Sequence, residues 1–123
     1  KRLKTFELKI ESPAFDFIEA STGIGEFGRK QFLSQRQINN LQIVFEELCV
    51  QTLMNRGSEV LPMQFSSMVS ELDGSCEATI TYGGPRFDPF EEQADELPVR
   101  MVLGLTKEHR WSGDDGNRIT LVI

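Results

Sequence analysis

The sequence predicts an α+β domain, a two-layer sandwich in which a mostly antiparallel sheet is covered on one face by about three helices. Three observations carry that expectation. Stretches that alternate apolar and polar residues flank tight-turn dipeptides, the mark of hairpins. One long stretch repeats its apolar residues at three-and-four spacing behind a capping box. The elements run strand, helix, helix, hairpin, helix, hairpin, with no repeated βαβ unit that would build a parallel sheet.

Residues 5–11, Thr-Phe-Glu-Leu-Lys-Ile-Glu, alternate at period two and predict a first strand with one buried face. Ser12-Pro13 has the form of an N-cap and first-turn pair, and Ala14, Phe15 and Ile18 suit a short helix behind it. Gly23, Gly25 and Gly28 are expected to end or interrupt that helix before residues 29–33. Ser34-Gln35-Arg36-Gln37 then opens the strongest helix, residues 35–55, with Ile38, Leu41, Phe45 and Leu48 on one face and Gly57 closing it. Residues 60–72 read as a strand interrupted early by Pro62, and Asp73-Gly74 turns it into a second strand that alternates Cys76, Ala78, Ile80 and Tyr82 with polar residues. Residues 83–89 cannot continue the strand, and Glu91, Glu92, Asp95 and Glu96 make the next stretch a solvated acidic loop. Residues 97–107 form a last helix with Pro98 in its first turn, and a hairpin of 108–112 and 118–123 around Gly113-Asp114-Asp115-Gly116 ends the chain.

Composition bounds the function. The chain has 123 residues, which fits a single domain with one core, residues 1–123. Leu, Ile, Val and Phe supply 36 of them, enough to exclude disorder as the main state. A net charge of -6 has the wrong sign for a protein that tracks phosphates, so nucleic acid is not an expected partner. No stretch has the length of a bilayer crossing and the start lacks a signal peptide, so no membrane insertion is expected. Two cysteines, Cys49 and Cys76, make neither a disulfide scaffold nor a metal site, which points to a reducing cytoplasm. The first residue is Lys1, as in a processed product or a domain excised from a longer protein.

Several motifs carry no chemistry. Gly23-Ile24-Gly25-Glu26-Phe27-Gly28 satisfies G-x-G-x-x-G, but what precedes it reads as helix, whereas a dinucleotide site needs a strand there. A lone histidine, His109, excludes a His-based metal cluster. The acids of 88–96 lack the spacing and central glycine of a calcium loop. More informative is Phe45-Glu46-Glu47-Leu48-Cys49-Val50-Gln51, because Glu47 and Gln51 stand at i and i+4 of the strong helix and so point from one face. Further on, a strand ends in Tyr82-Gly83-Gly84-Pro85-Arg86-Phe87-Asp88-Pro89.

With these two segments the chain resembles the GHKL (Bergerat-fold) ATPases, most of all the small anti-sigma-factor serine kinases and histidine-kinase-like domains. Glu47-Leu48-Cys49-Val50-Gln51 is similar to the family's Glu-Leu-x-x-Asn helix, and Tyr82 to Pro89 is similar to its Asp-x-Gly-x-x-Phe-Asp-Pro. The resemblance implies a Bergerat-like sandwich, ATP and Mg²⁺ as cofactors, Glu47 as general base, Gln51 at the metal-coordinating position, Tyr82 at the adenine, and Gly84 and Phe87 among the nucleotide-binding positions. Gly104, in Leu103-Gly104-Leu105, falls on the end of the phosphate-wrapping loop; setting Val99 there instead restores the length and removes the glycine. Gln51 is one methylene longer than the family's asparagine, and Mg²⁺ demands strict octahedral geometry. Tyr82 is bulky and neutral where the family has an aspartate that accepts from the adenine amino group. The expectation is therefore a GHKL-like regulatory domain with a degenerate ATP site that works by binding protein: a sigma factor, an anti-anti-sigma protein or a fused domain in a bacterial cytoplasm. The alternative is an active ATP-dependent serine/threonine kinase. A third reading is a dimerisation domain, with residues 119–123 as an edge strand that pairs in a homodimer.

Overall fold

A computed structural model describes residues 3–123. It is an α+β sandwich. Five antiparallel strands, β1 (Leu3–Ile10), β2 (Met63–Ser70), β3 (Cys76–Tyr82), β4 (Glu108–Ser112) and β5 (Asn117–Val122), lie in the order β1-β2-β3-β5-β4. Helices α1 (Phe17–Lys30), α2 (Gln35–Val44), α3 (Pro89–Glu92) and α4 (Leu97–Leu105) accompany them. The alternation read from the sequence sets the sheet's faces: β2 and β3 bury every second residue, including Phe65, Val69, Cys76, Ala78 and Ile80. Ser66, Thr79 and Thr120 stand in register across the opposite face.

The last strand is not an edge. β5 lies between β3 and β4, with both of its sides hydrogen-bonded, so pairing of residues 119–123 across a two-fold axis is closed. Burial explains the order: Ile119 and Leu121 are fully buried, whereas Glu108, His109 and Arg110 of β4 are exposed and take the edge, where charge is tolerated.

Helix α1 differs from expectation at both ends. It starts at Phe17 rather than behind Ser12-Pro13, because the Asp16 carboxylate accepts from the Glu19 N–H at 2.9 Å and caps it. Phe15, left outside the helix, meets Phe45 edge-on at 6.3 Å, while Phe17 stacks on the same ring at 5.8 Å and Phe65 meets it edge-on at 5.3 Å. The helix then runs through all three glycines to Lys30. Two of them serve close approach: a Cβ on Gly28 would stand 2.6 Å from Ile38 Cγ1 and one on Gly25 would stand 2.9 Å from Gln42 Nε2, whereas one on Gly23 would make an ordinary contact with the Phe6 ring at 3.5 Å. The helix-propensity cost of glycine, about 1 kcal/mol each, is offset at Gly25 and Gly28 by the seating of α1 against α2.

Helix α2 starts on the expected capping box, with Ser34 and Gln37 bonding reciprocally. Its continuation is not α-helical: Phe45–Leu53 winds with i→i+5 bonds, followed by a tight turn at Met54–Arg56 and the chain reversal at Gly57, φ 112°. The wider turn lets Leu48 with Cys49, and Thr52 with Leu53, face inward as adjacent pairs. The acidic stretch also gains order: Asp88 accepts from the Phe90 N–H at 2.9 Å and, with Pro89 in the first turn, starts the one-turn helix α3. Glu91, Glu92, Asp95 and Glu96 remain exposed, as expected.

Candidate functional site

The polar centre of the molecule lies where β3 ends. Tyr82 stands opposite Asn117 in the β3–β5 register, and the chain between Tyr82 and α3 folds over this pair. Asn117 is 3% exposed and satisfies its whole amide on that loop. Its Oδ1 accepts from the Phe87 N–H at 2.9 Å and the Trp111 Nε1–H at 3.3 Å. Its Nδ2 donates to the Pro85 carbonyl at 3.0 Å and, more weakly, to those of Gly83 and Gly84. The Tyr82 hydroxyl donates to the Phe87 carbonyl at 2.6 Å, and the Gly83 N–H bonds Val60 O at 2.8 Å. Buried polar groups left without partners would each cost a few kcal/mol, so this network fixes the loop in one conformation.

Two cations cover the knot from outside. The Arg56 guanidinium lies 3.6 Å from the centre of the Phe87 ring, and Arg86 stacks at 5.0 Å over Trp111 while donating to the Gly113 carbonyl at 2.8 Å. Gly84 holds φ 86° and passes so close to Glu59 that a Cβ would stand 3.3 Å from its carbonyl oxygen. Burial pushes the Tyr82 phenol well above its ordinary range, so it is a neutral donor at all physiological pH values.

The sequence-predicted residues therefore separate into three groups. Tyr82, Gly84 and Phe87 share the loop knot. Glu47 and Gln51 sit on the i→i+5 segment: Glu47 is half-buried, Gln51 is exposed, and among the described residues neither side chain has a hydrogen-bond partner. Within this segment the Thr52 hydroxyl donates to the Glu47 carbonyl at 2.8 Å. The Glu47 carboxyl is held above the usual range, first by burial and then by Glu46 beside it. Gly104 is exposed near the end of α4 and lines a cleft of about 350 Å³ together with Ser34, Gln37 and Asn40 at the start of α2, far along that helix from Glu47 and Gln51. Arg56, not Gln51, joins the helical segment to the loop. Among the described residues no three His, Cys, Asp or Glu side chains converge as metal ligands, so the Gln51 amide has no carboxylate cluster to complete.

Sequence reasoning missed Asn117, Trp111 and Arg56. One signal was available: Asn117 stands directly behind Gly116 at the head of an alternating strand, in phase with the apolar Ile119 and Leu121. No family model matches the chain, and no curated protein matches it. Among the described residues no helix is long and apolar enough to cross a membrane.

Proposed function

We propose that the chain is a GHKL-like regulatory domain whose nucleotide site is closed and which acts by binding another protein. The observation that carries this reading is Tyr82. At the position where the resemblance places a carboxylate for the adenine amino group, a phenol is buried and turned inward onto the Phe87 carbonyl at 2.6 Å. A ligand amino group there would meet neither a charge nor a free acceptor, and a site deprived of its acceptor loses most of its preference for the base.

The remaining positions support the same reading. Gln51 and Gly104 do not converge, and the five carboxylates at Asp88, Glu91, Glu92, Asp95 and Glu96 repel a triphosphate. ATP and Mg²⁺ do not fit this arrangement. The partners in keeping with the resemblance are a sigma factor, an anti-anti-sigma protein or a fused domain. Calorimetric titration with ADP and with a non-hydrolysable ATP analogue, each with and without Mg²⁺, tests the reading. The expected outcome is no heat at millimolar nucleotide from folded protein; a Kd in the micromolar range, about -8 kcal/mol, overturns it.

One observation favours a second reading, a divergent serine/threonine kinase. Glu47 is a half-buried carboxylate with a raised pKa, the property of a general base. That reading requires Mg²⁺-dependent phosphate transfer that Glu47→Ala abolishes; the absence of transfer and of hydrolysis by the purified protein removes it.

A further inference from the structure

The sheet has two edges, and they are built differently. β4 guards one of them with three exposed residues in a row, Glu108, His109 and Arg110. β1 forms the other over eight residues, and outside the β1–β2 ladder none of them has a backbone hydrogen bond among the described residues. In an antiparallel ladder every second residue bonds its neighbour, so half of β1 turns its N–H and C=O groups to solvent. No proline or glycine blunts that edge, and on the helix side the strand presents Phe6 and Leu8, both half-buried.

Two hollows open between this edge and α1, and both are lined by Phe6 and Gly23. One, of about 430 Å³, lies toward Leu8 and Phe15, and its charged groups are Glu7, Asp16 and Glu19 against Lys9. Residues from both faces of β1 line it, so it reaches around the free edge. The other, of about 520 Å³, lies toward Phe27, which packs on the Phe6 ring at 5.6 Å, and holds Arg29 and Lys30 against Glu26. Among the described residues the one ion pair joins Lys4 to Glu71, so none of these seven groups is already matched.

We propose that β1 pairs with β1 of a second copy across a two-fold axis at Phe6, joining two five-stranded sheets into one. Register and charge select this occupant. An antiparallel pair keeps its hydrogen bonds and its faces only when residues of like parity stand opposite, so the axis passes through a residue and not between two. An axis at Glu7 or Lys9 sets like charges face to face, one at Leu8 brings the two acidic hollows together, and one at Thr5 shortens the overlap. At Phe6 the overlap is Leu3–Lys9, with about six to eight new backbone hydrogen bonds, Thr5 opposite Glu7, and the two Phe6 rings paired on the axis. The acidic hollow of each copy then meets the basic hollow of the other. A groove charged oppositely at its two ends is complementary to its own two-fold image, which an isologous contact requires.

The contact is large enough to be specific. Residues 3–9 of the strand span about 23 Å and the helix α1 about 21 Å, so the two layers present a wall of one length, roughly 20 Å tall. Such a wall covers about 450 Å² per copy and on the order of 1,000 Å² for the pair, the lower bound of a specific interface, and the expected Kd is on the order of 10 μM. No residue of the loop knot takes part, so the inference stands apart from the nucleotide-site reading.

Sedimentation equilibrium from about 1 μM to about 1 mM, with amide hydrogen exchange at both ends of that range, tests it. The mass is expected to rise from 14.0 kDa toward twice that value, and the outward amides of residues 3–9 to exchange about tenfold more slowly at the higher concentration. Glu19→Lys brings the net charge from -6 to about -4 and would tighten a non-specific contact; here it removes an acid that faces the basic hollow and should raise Kd about tenfold. Arg29→Glu should also weaken association, and an equimolar mixture of the two variants should restore it, because the unlike pair regains opposite charges at both hollows. A wild-type chain that stays at 14.0 kDa up to about 1 mM overturns the proposal and leaves the edge to an extended segment of another protein. So does association that adds no protection to residues 3–9, a Glu19→Lys chain that associates as tightly as the wild type, or a mixture no tighter than its components.

Discussion

The three glycines of α1 give the sharpest test of how the helical layer is packed. In an exposed helix each Gly→Ala change should stabilise by about 1 kcal/mol. The surroundings here split that common gain three ways. At Gly23 the new methyl would stand 3.5 Å from the Phe6 ring, an ordinary contact, so Gly23→Ala should keep the full gain of about 1 kcal/mol. At Gly25 it would stand 2.9 Å from Gln42 Nε2, which can move only by giving up its 3.0 Å bond to the Ser21 carbonyl. That loss, about 1 kcal/mol, cancels the helix gain, and Gly25→Ala should be near neutral. At Gly28 the methyl would stand 2.6 Å from Ile38 Cγ1, and Ile38 is only 2% exposed, so neither group can yield. Overpacking at such a site costs about 1–3 kcal/mol, which exceeds the gain, and Gly28→Ala should be destabilised by up to about 2 kcal/mol. Urea denaturation with the m-value held common reads all three. If Gly28→Ala stabilises as much as Gly23→Ala, α1 and α2 do not approach as described, and the reason given for glycine in mid-helix is wrong.

Four further outcomes are expected. Tyr82→Phe leaves the Phe87 carbonyl without its 2.6 Å donor and should cost about 1–2 kcal/mol by chemical denaturation. Because Tyr82 is the one tyrosine of the chain and its folded pKa is raised, its contribution is full below pH 10 and falls as pH rises beyond that; an absorbance titration of the folded protein should show no phenolate at pH 10. Asn117→Ala, which orphans the Phe87 N–H and the Pro85 carbonyl together, should cost about 3 kcal/mol and loosen residues 83–88, visible as faster hydrogen exchange there. Glu47 has a raised folded pKa, so its protonated form is the one the fold favours: Glu47→Gln should stabilise the protein at pH 7, and the gain should vanish as pH falls below the ordinary carboxylate range, as paired melts at the two pH values would reveal.

What the sequence discloses follows how local the determining contact is. Ser34 and Gln37 are three residues apart and satisfy one another, and Asp73-Gly74 marks the short reversal of residues 71–75 in which Gly74 takes φ 71°, so both are legible without knowing the rest of the fold. Gly28 is illegible in the same way that these are plain. Its propensity argues for a break, and the reason for its presence is Ile38, on another helix. Likewise the i→i+5 winding of Phe45–Leu53 follows from how two adjacent pairs of side chains are buried, while three-and-four spacing counts only one face. The place of β5 lay between these cases: the charges of Glu108 and Arg110 against the apolar Ile119 and Leu121 indicate which strand of the hairpin takes the edge.

The candidate site turns on the same distinction. Two tyrosines at the end of a strand are identical in sequence whether the hydroxyl faces a cleft or the protein's own backbone. Here the direction is set by the Phe87 carbonyl, five residues on, and the N–H of the same residue is held by Asn117, thirty residues further. A motif of the form Gly-x-x-Phe-Asp-Pro fixes the loop's chemistry but leaves its inward anchor unspecified. The consequence reaches function: a carboxylate at position 82 is too short to reach the Phe87 carbonyl, would leave that carbonyl without its donor and would itself be buried, so the loop that suits Tyr82 is one in which that acid would be destabilised. Tyr82→Asp alone should therefore cost stability without creating a base-reading site, because the loop's closure and the tyrosine's inward turn are one arrangement.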